Sequence, residues 1–208
     1  MRPLPTELSP DALLVGVDYG AKLAGTTALF YRLPDGQCCW ELVAAKKDAD
    51  QWLLDRLHYL QPALVFIDAP LSLPKVYQRL GEADATADFF YRVGDKALQA
   101  MSPMFLGGLT ARAIRLRYAL GEVCPLIETY PGAQAERLGL KPLGYKKSLD
   151  SMADVLKAIQ ALYPELHWGN LPSTWHEVDA LLAWLGAYHY QQGLAEIYGD
   201  PEEGAIYL

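Results

Sequence analysis

The chain has 208 residues, with 18 Lys+Arg against 25 Asp+Glu, a formal net charge of -7 and 51% hydrophobic residues, the composition of a soluble globular protein with one sizeable core. That balance excludes a polybasic nucleic-acid coat and a low-complexity or disordered chain. The richest apolar stretch, Ala180 to Tyr190, falls short of the roughly 20 residues that span a bilayer. Pro3, Pro5 and Glu7 break up any secretory signal, so a cytoplasmic address and no membrane partner are expected.

In chain order, Leu13 to Asp18 is an apolar run too short for a helix and closed by Asp-Tyr-Gly, the pattern of a buried strand ending in a turn. Gly25 to Tyr31 and Cys38 to Ala44 read as two more strands joined by the tight turn Leu33-Pro34-Asp35-Gly36. Adjacent Cys38 and Cys39 would then point to opposite faces; with Cys124 they read as reduced thiols, because no Cys-x-x-Cys or finger spacing is present. Asp48 to Leu60 places Trp52, Leu53, Leu57 and Leu60 at helical spacing, and Gln61-Pro62 ends that helix.

Ala63 to Asp68 is a second apolar strand terminating in an acid, and Val123 to Glu128 a third, irregular at its start because of Pro125. Between them, 71–121 is expected to be a mostly helical insert: one or two helices over Ala83 to Met101, a hinge at Gly107-Gly108, and a helix from Ala111 to Leu120 capped by Thr110. Helices are further expected over Pro131 to Leu138 and Asp150 to Leu162, with an irregular stretch from Pro164 to Pro172. Thr174-Trp175-His176-Glu177 has the form of a capping box, and Val178 to Tyr188 is too apolar for a surface helix and should pack on the sheet. Residues 204–208 read as a terminal extended segment. No repeat or linker divides the chain, so 1–208 reads as one α/β domain.

Ligands of open parallel sheets gather where the strand carboxyl ends meet, and Asp18, Asp68 and Glu128 all sit at such ends. Asp179 is a fourth acid, in the first turns of an apolar helix, with His176 one turn earlier on nearly the same face. Any one acid could be only a turn former or cap. Together they would raise one another's pKa or recruit a divalent cation, and hard oxygen donors suit Mg²⁺ or Mn²⁺ better than zinc; two ions are expected.

Arg112 and Arg92, with Lys146 and Lys147 in a Gly-containing loop and Thr110 nearby in sequence, are candidates for holding substrate phosphates, although arginines on a helix can equally form its solvated face. Tyr77, Phe89, Phe90, Tyr91 and Phe105 could stack on bases or could fill the core of the insert. Gly16-x-Asp18-x-Gly20 is neither a phosphate loop nor a dinucleotide fingerprint. With no Gly-x-Ser-x-Gly elbow, covalent nucleophile chemistry has no support.

The order of elements, with acids on strands one, four and five and on the last helix, resembles the ribonuclease H-like fold shared by Holliday-junction resolvases. The motifs Val15-Gly16-Val17-Asp18, Phe66-Ile67-Asp68-Ala69-Pro70-Leu71, Arg92-x-x-Asp95, Leu106-Gly107-Gly108-Leu109-Thr110-x-Arg112, Ile127-Glu128-Thr129-Tyr130-Pro131, His176-x-x-Asp179-Ala180 and Gly199-Asp200-x-x-Glu203-Gly204 look like an uncharacterised family of predicted ribonuclease H-like nucleases. The resemblance implies a three-layer fold, with a mixed five-stranded sheet between helices and the helical insert after strand four. It also implies that Asp18, Asp68, Glu128 and Asp179 bind metal and that His176 matches the His-x-x-Asp of some resolvases. Asp68 is one methylene shorter than the Glu of several resolvase relatives, and the acidic balance departs from the basic surface usual for a duplex cutter.

The expected activity is therefore metal-dependent hydrolysis of phosphodiester bonds in DNA or RNA, with carboxylates holding two ions roughly 4 Å apart and His176 orienting water or relaying a proton. The rivals are a non-catalytic nucleic-acid-binding module of the same fold and a phosphotransferase of the actin-like or sugar-kinase type. A kinase of that type would need a second domain to enclose its nucleotide. The oligomer stays open between monomer and homodimer.

Overall fold

The computed structural model describes residues 4–82, 84 and 86–208. Five strands carry the sheet: β1 (Leu14–Asp18), β2 (Ala28–Arg32), β3 (Gln37–Leu42), β4 (Leu64–Asp68) and β5 (Leu126–Thr129). Antiparallel pairing joins β1 to β2 and β2 to β3, as short connections dictate. Pairing of β1 with β4 and of β4 with β5 is parallel, because helices occupy both crossovers.

Among the described residues the sheet has eight strands rather than five, in the order β6-β3-β2-β1-β4-β5-β8-β7. The additional ones, β6 (His167–Trp168), β7 (Ile197–Tyr198) and β8 (Ile206–Tyr207), are two residues each and extend its edges. They are too short to carry a hydrophobic period, which is why 164–172 reads as irregular from sequence alone.

Helices cover both faces. Against one face lie α1 (Ala49–Leu60) and, later in the chain, α4 (Gly108–Ala119), which bury Leu53, Leu57, Ala113 and Leu116 on Val15, Val17, Val65 and Ile67. Against the other lie α5 (Pro131–Arg137), α6 (Met152–Leu162) and α7 (Trp175–Gln191), which close over Leu14, Phe30, Phe66 and Ile127. Sandwiched among sheet, α5 and α6, α7 is buried on nearly every side, so it lacks the polar face of a surface helix. Its Leu181, Leu182 and Leu185 are completely buried, each worth about 1.5–3 kcal/mol of transfer free energy. The capping box fixes its start: Thr174 Oγ1 accepts from the Glu177 amide at 3.3 Å, and Glu177 Oε2 accepts from the Thr174 amide at 2.9 Å.

The insert is less helical than its sequence suggests. The start of the helix expected from Ala83 lies at residues outside the described ones, Ala83 and Ala85. Beyond it are α2 (Val93–Leu98) and α3 (Pro103–Leu106), separated because Gln99 adopts a left-handed φ of 52° and Pro103 opens a new helix. Thr110 is not a cap: α4 begins at Gly108, and the Thr110 hydroxyl instead donates to the Pro103 carbonyl at 2.7 Å, tying α4 to α3. Among the described residues no helix is long and apolar enough to cross a membrane.

Candidate functional site

The parallel register sets Asp18 directly beside Asp68. Strand alternation gives both the same face as Gly16 and Phe66, the face covered by α7. Gly16 lets the helix come close: a Cβ there would stand 2.1 Å from the Ala180 carbonyl and 2.2 Å from the Trp184 nitrogen. This contact presses the first turns of α7 onto β1 and carries Asp179, the residue before Ala180, to the strand ends beside Asp18 and Asp68. Asp179 is 1% exposed.

Three carboxylates so placed repel one another. Burial first, then the charges of Asp18 and Asp179, hold the Asp68 carboxyl well above the usual carboxylate range. Burial and then Asp18 raise Asp179 to about 6. Asp68 has no hydrogen-bond or ion-pair partner among the described residues, although Lys146 lowers its pKa from nearby. His176 Nδ1 lies 2.7 Å from Asp18 Oδ2, and this hydrogen bond raises the imidazole pKa against the opposing effect of burial. An ionised Asp18 can only accept, so the bond places the proton on Nδ1.

Asp179 is held from a loop 34 residues away. The Tyr145 hydroxyl donates to its Oδ1 at 2.5 Å, and the Lys146 ammonium forms an ion pair with its Oδ2. The Tyr145 ring meets the Trp175 ring edge-on at 5.5 Å, which locks its rotamer at the start of α7. Gly144, at φ 93°, packs so closely on Ser151 that a Cβ would stand 2.7 Å from the serine Cβ, and Ser151 Oγ donates to the Gly144 carbonyl at 2.6 Å. Tyr145 escapes a reading of types and spacings, because nothing local marks a tyrosine that contacts a residue so far along the chain.

Glu128 separates from the other three acids. It pairs with Ile67 rather than Asp68, so alternation turns its side chain to the opposite face of the sheet. There it receives a two-pronged ion pair from Arg92, Nη1 to Oε2 at 2.7 Å and Nη2 to Oε1 at 2.5 Å, plus the Leu71 amide at 2.9 Å. Burial raises its pKa while Arg92 and the Leu71 amide work against the rise. Arg92 also binds Asp95 through Nε at 3.1 Å and Nη2 at 2.6 Å, and Ser72 Oγ through Nη1 at 2.8 Å. Arg92 and Asp95 are each 1% exposed, so this cluster clamps α2 of the insert to β5. The guanidinium expected to meet a phosphate is occupied by carboxylates instead.

Arg112 is likewise engaged. It donates to Asp50 through Nη2 at 2.6 Å and to the Gly20 carbonyl at 3.1 Å, and its guanidinium lies 4.7 Å from the centre of the Tyr19 ring. Thr110 is buried, and Lys147 stands exposed at the surface. Of the candidate phosphate contacts, only Lys146 is brought to the three aspartates. A cavity of about 290 Å³ opens over the strand ends, lined by Asp18, Asp68 and Glu128 and walled on the insert side by Met101, Leu106 and Leu109.

Among the described residues no three His, Cys, Asp or Glu side chains are already gathered as a metal-holding group; His176 occupies one oxygen of Asp18, and Lys146 and Tyr145 occupy both of Asp179. The donor set nevertheless suits a hard divalent ion: three carboxylates, one of them without a partner among the described residues, converge where their mutual repulsion favours a cation.

Sheet, flanking helices and cleft define an α/β protein with a carboxylate-lined pocket at the carboxyl ends of its central parallel strands. The chain belongs to the family described as Protein of unknown function (DUF429), which matches residues 16–203 and so takes in every acid discussed above. No curated protein matches the chain.

Proposed function

We propose that this chain is a metal-dependent phosphodiester hydrolase of the ribonuclease H-like type, related to the resolvases and acting on nucleic acid. The observation that carries the reading is Asp68, a carboxylate with no partner among the described residues, set in register with Asp18 and facing Asp179. A purely structural site gains nothing from such repulsion, whereas a divalent ion relieves it. The order β3-β2-β1-β4-β5 of the long strands, with the last helix laid across β1, supports the fold relationship.

Asp18 and Asp68 are the residues that would hold Mg²⁺ or Mn²⁺, with Asp179 beside them holding Lys146 and Tyr145. Such an ion, when bound, lowers the pKa of coordinated water and draws charge from phosphoryl oxygens. His176, hydrogen-bonded to Asp18 and 42% exposed on its side chain, is placed to take or return a proton beside Asp18. Glu128 acts one step back: with Arg92 it fixes the insert that forms the cavity wall. The cavity, at about 290 Å³, is many times the roughly 10–15 Å³ that one water needs, room for a hydrated ion and a scissile phosphate.

On the insert, Phe90 and Phe105 are 52% and 62% exposed, with ring centres 5.6 Å apart. They offer bases a sequence-tolerant stacking surface, which suits an acidic protein better than a duplex backbone would. The test is cleavage of labelled single-stranded, duplex and branched DNA and RNA in Mn²⁺ and Mg²⁺. Hydrolysis lost in the Asp18→Asn, Asp179→Asn double variant is the expected result; hydrolysis retained in it would refute the proposal.

A further inference from the structure

The loop that brings Lys146 to the cleft is held in a strained conformation. Lys146 is one of four non-glycine residues with positive φ among the described residues, at 57°, a backbone region that a lysine occupies only where its surroundings enforce it. Here they do. Gly144 is wedged against Ser151 at the start of α6, and Tyr145 is held between the Trp175 ring and Asp179. Two consecutive residues thus engage the two oxygens of one buried carboxylate, and the ion pair with Asp179 holds the ammonium beside the aspartates. Lys146 acts on all three aspartates, since its charge is felt by Asp179, Asp18 and Asp68.

We infer that Lys146 is a built-in cation of the carboxylate cleft, and that the centre therefore takes one divalent ion, not two. The inference rests on the metal-dependent reading above. Charge balance decides the number: three carboxylates are offset by one ammonium and one dication, and a second dication would leave the cleft cationic before any substrate arrived. Geometry assigns the places. Asp18 and Asp68 lie side by side on adjacent strands, and Asp68 is unpartnered among the described residues, whereas both oxygens of Asp179 are already taken by Tyr145 and Lys146. The ion belongs at the Asp18–Asp68 side. An ammonium has three N–H donors, and the Lys146 side chain is 49% exposed. Donors not used by Asp179 are therefore available to a non-bridging oxygen of the substrate phosphate, the part a second ion would otherwise play.

The experiment is to count Mn²⁺ on the full chain without substrate, by loss of the free-ion electron paramagnetic resonance signal and by calorimetry. Circular dichroism and thermal melts check the fold of each variant. The wild type is expected to bind one Mn²⁺ per chain, with at least tenfold weaker binding in Asp18→Asn. Lys146→Met, which keeps the length and removes the charge, is expected to admit a second ion, and Lys146→Arg to keep one. Lys146→Gln carries the same expectation as Lys146→Met should the latter not fold. Two Mn²⁺ on the wild type, both dependent on Asp18, would overturn the inference and leave the hydrolase reading standing. One ion on Lys146→Met with unchanged affinity would also overturn it. No Mn²⁺ on any form would sink both, while one ion without phosphodiester turnover would remove the hydrolase reading alone.

Discussion

Replacing Asp18 by Asn should make the metal-free protein more stable, although it strikes the centre of the site. Asp179 rises from 3.8 to about 6 in the folded chain. At about 1.4 kcal/mol per pKa unit, keeping it ionised costs the fold about 3 kcal/mol. Burial is the larger cause and the Asp18 charge the next, so removing that charge would recover about 1 kcal/mol there. Asp68, raised by burial and then by Asp18, shifts the balance in the same direction. A gain of about 1 kcal/mol corresponds to about 2–4 °C in melting temperature for a chain of this size. The His176 bond survives, because the carbonyl of the introduced amide can still accept from Nδ1. The direction with pH follows from the raised value: the contribution of Asp179 is fully present below pH 3.8 and is lost as pH rises through 6. The gain from Asp18→Asn should therefore be largest near neutral pH, at about pH 7.5, and shrink toward about pH 4.5, read by thermal melts in EDTA. Added Mn²⁺ should raise the melting temperature of the wild type and not of the variant. An Asp18→Asn protein melting at or below the wild type in EDTA near neutral pH would show that the three carboxylates do not oppose folding.

The clamp between insert and sheet should be costly to break: Arg92→Met leaves Glu128 and Asp95 buried without their cation and is expected to lose about 3–5 kcal/mol in urea unfolding, while Glu128→Gln should lower stability and leave Mn²⁺ affinity within a factor of about three. Gly16→Ala forces a methyl group to within 2.1 Å of the Ala180 carbonyl, so stability in urea unfolding should fall by about 1–3 kcal/mol as α7 is pushed off β1. Phe105→Ser, at a residue 62% exposed, should change stability by less than about 0.5 kcal/mol and weaken single-stranded oligonucleotide binding by about 1–3 kcal/mol in fluorescence anisotropy.

The parts of the fold that the sequence announces are those where one physical signal dominates. Apolar runs ending in Asp18 and Asp68 mark buried parallel strands, and the Thr174–Glu177 capping box marks the start of a helix whose apolar surround requires burial on all sides. Of the two-residue edge strands, β8 falls within the extended segment expected at 204–208, whereas β6 and β7 carry no period and stay invisible. Thr110 misleads because a threonine before an apolar stretch looks the same whether it caps a helix or, as here, bonds back to Pro103 from within one. The convergence of three aspartates is legible from strand ends and helix position, but the face that Glu128 takes is not. That depends on the register of β5 against β4, a one-residue matter that inverts every side chain of the strand.

The four acids that look alike in sequence thus have opposite fates, and the difference lies in which cation the fold delivers to each. Glu128 receives the planar fork of Arg92, which saturates both its oxygens in a dry interior and leaves no site for an ion. Asp179 receives a tyrosine hydroxyl on one oxygen and, on the other, a lysine, a point charge on a flexible stem that keeps other donors free. Asp68 receives no direct partner among the described residues. Of the carboxylates that line the cavity, Glu128 is saturated and Asp68 is not, so the unrelieved charge lies where a ligand can reach it. A protein selected for stability alone would have given Asp68 a partner or replaced it, and the proposal of a bound cation rests on that carboxylate.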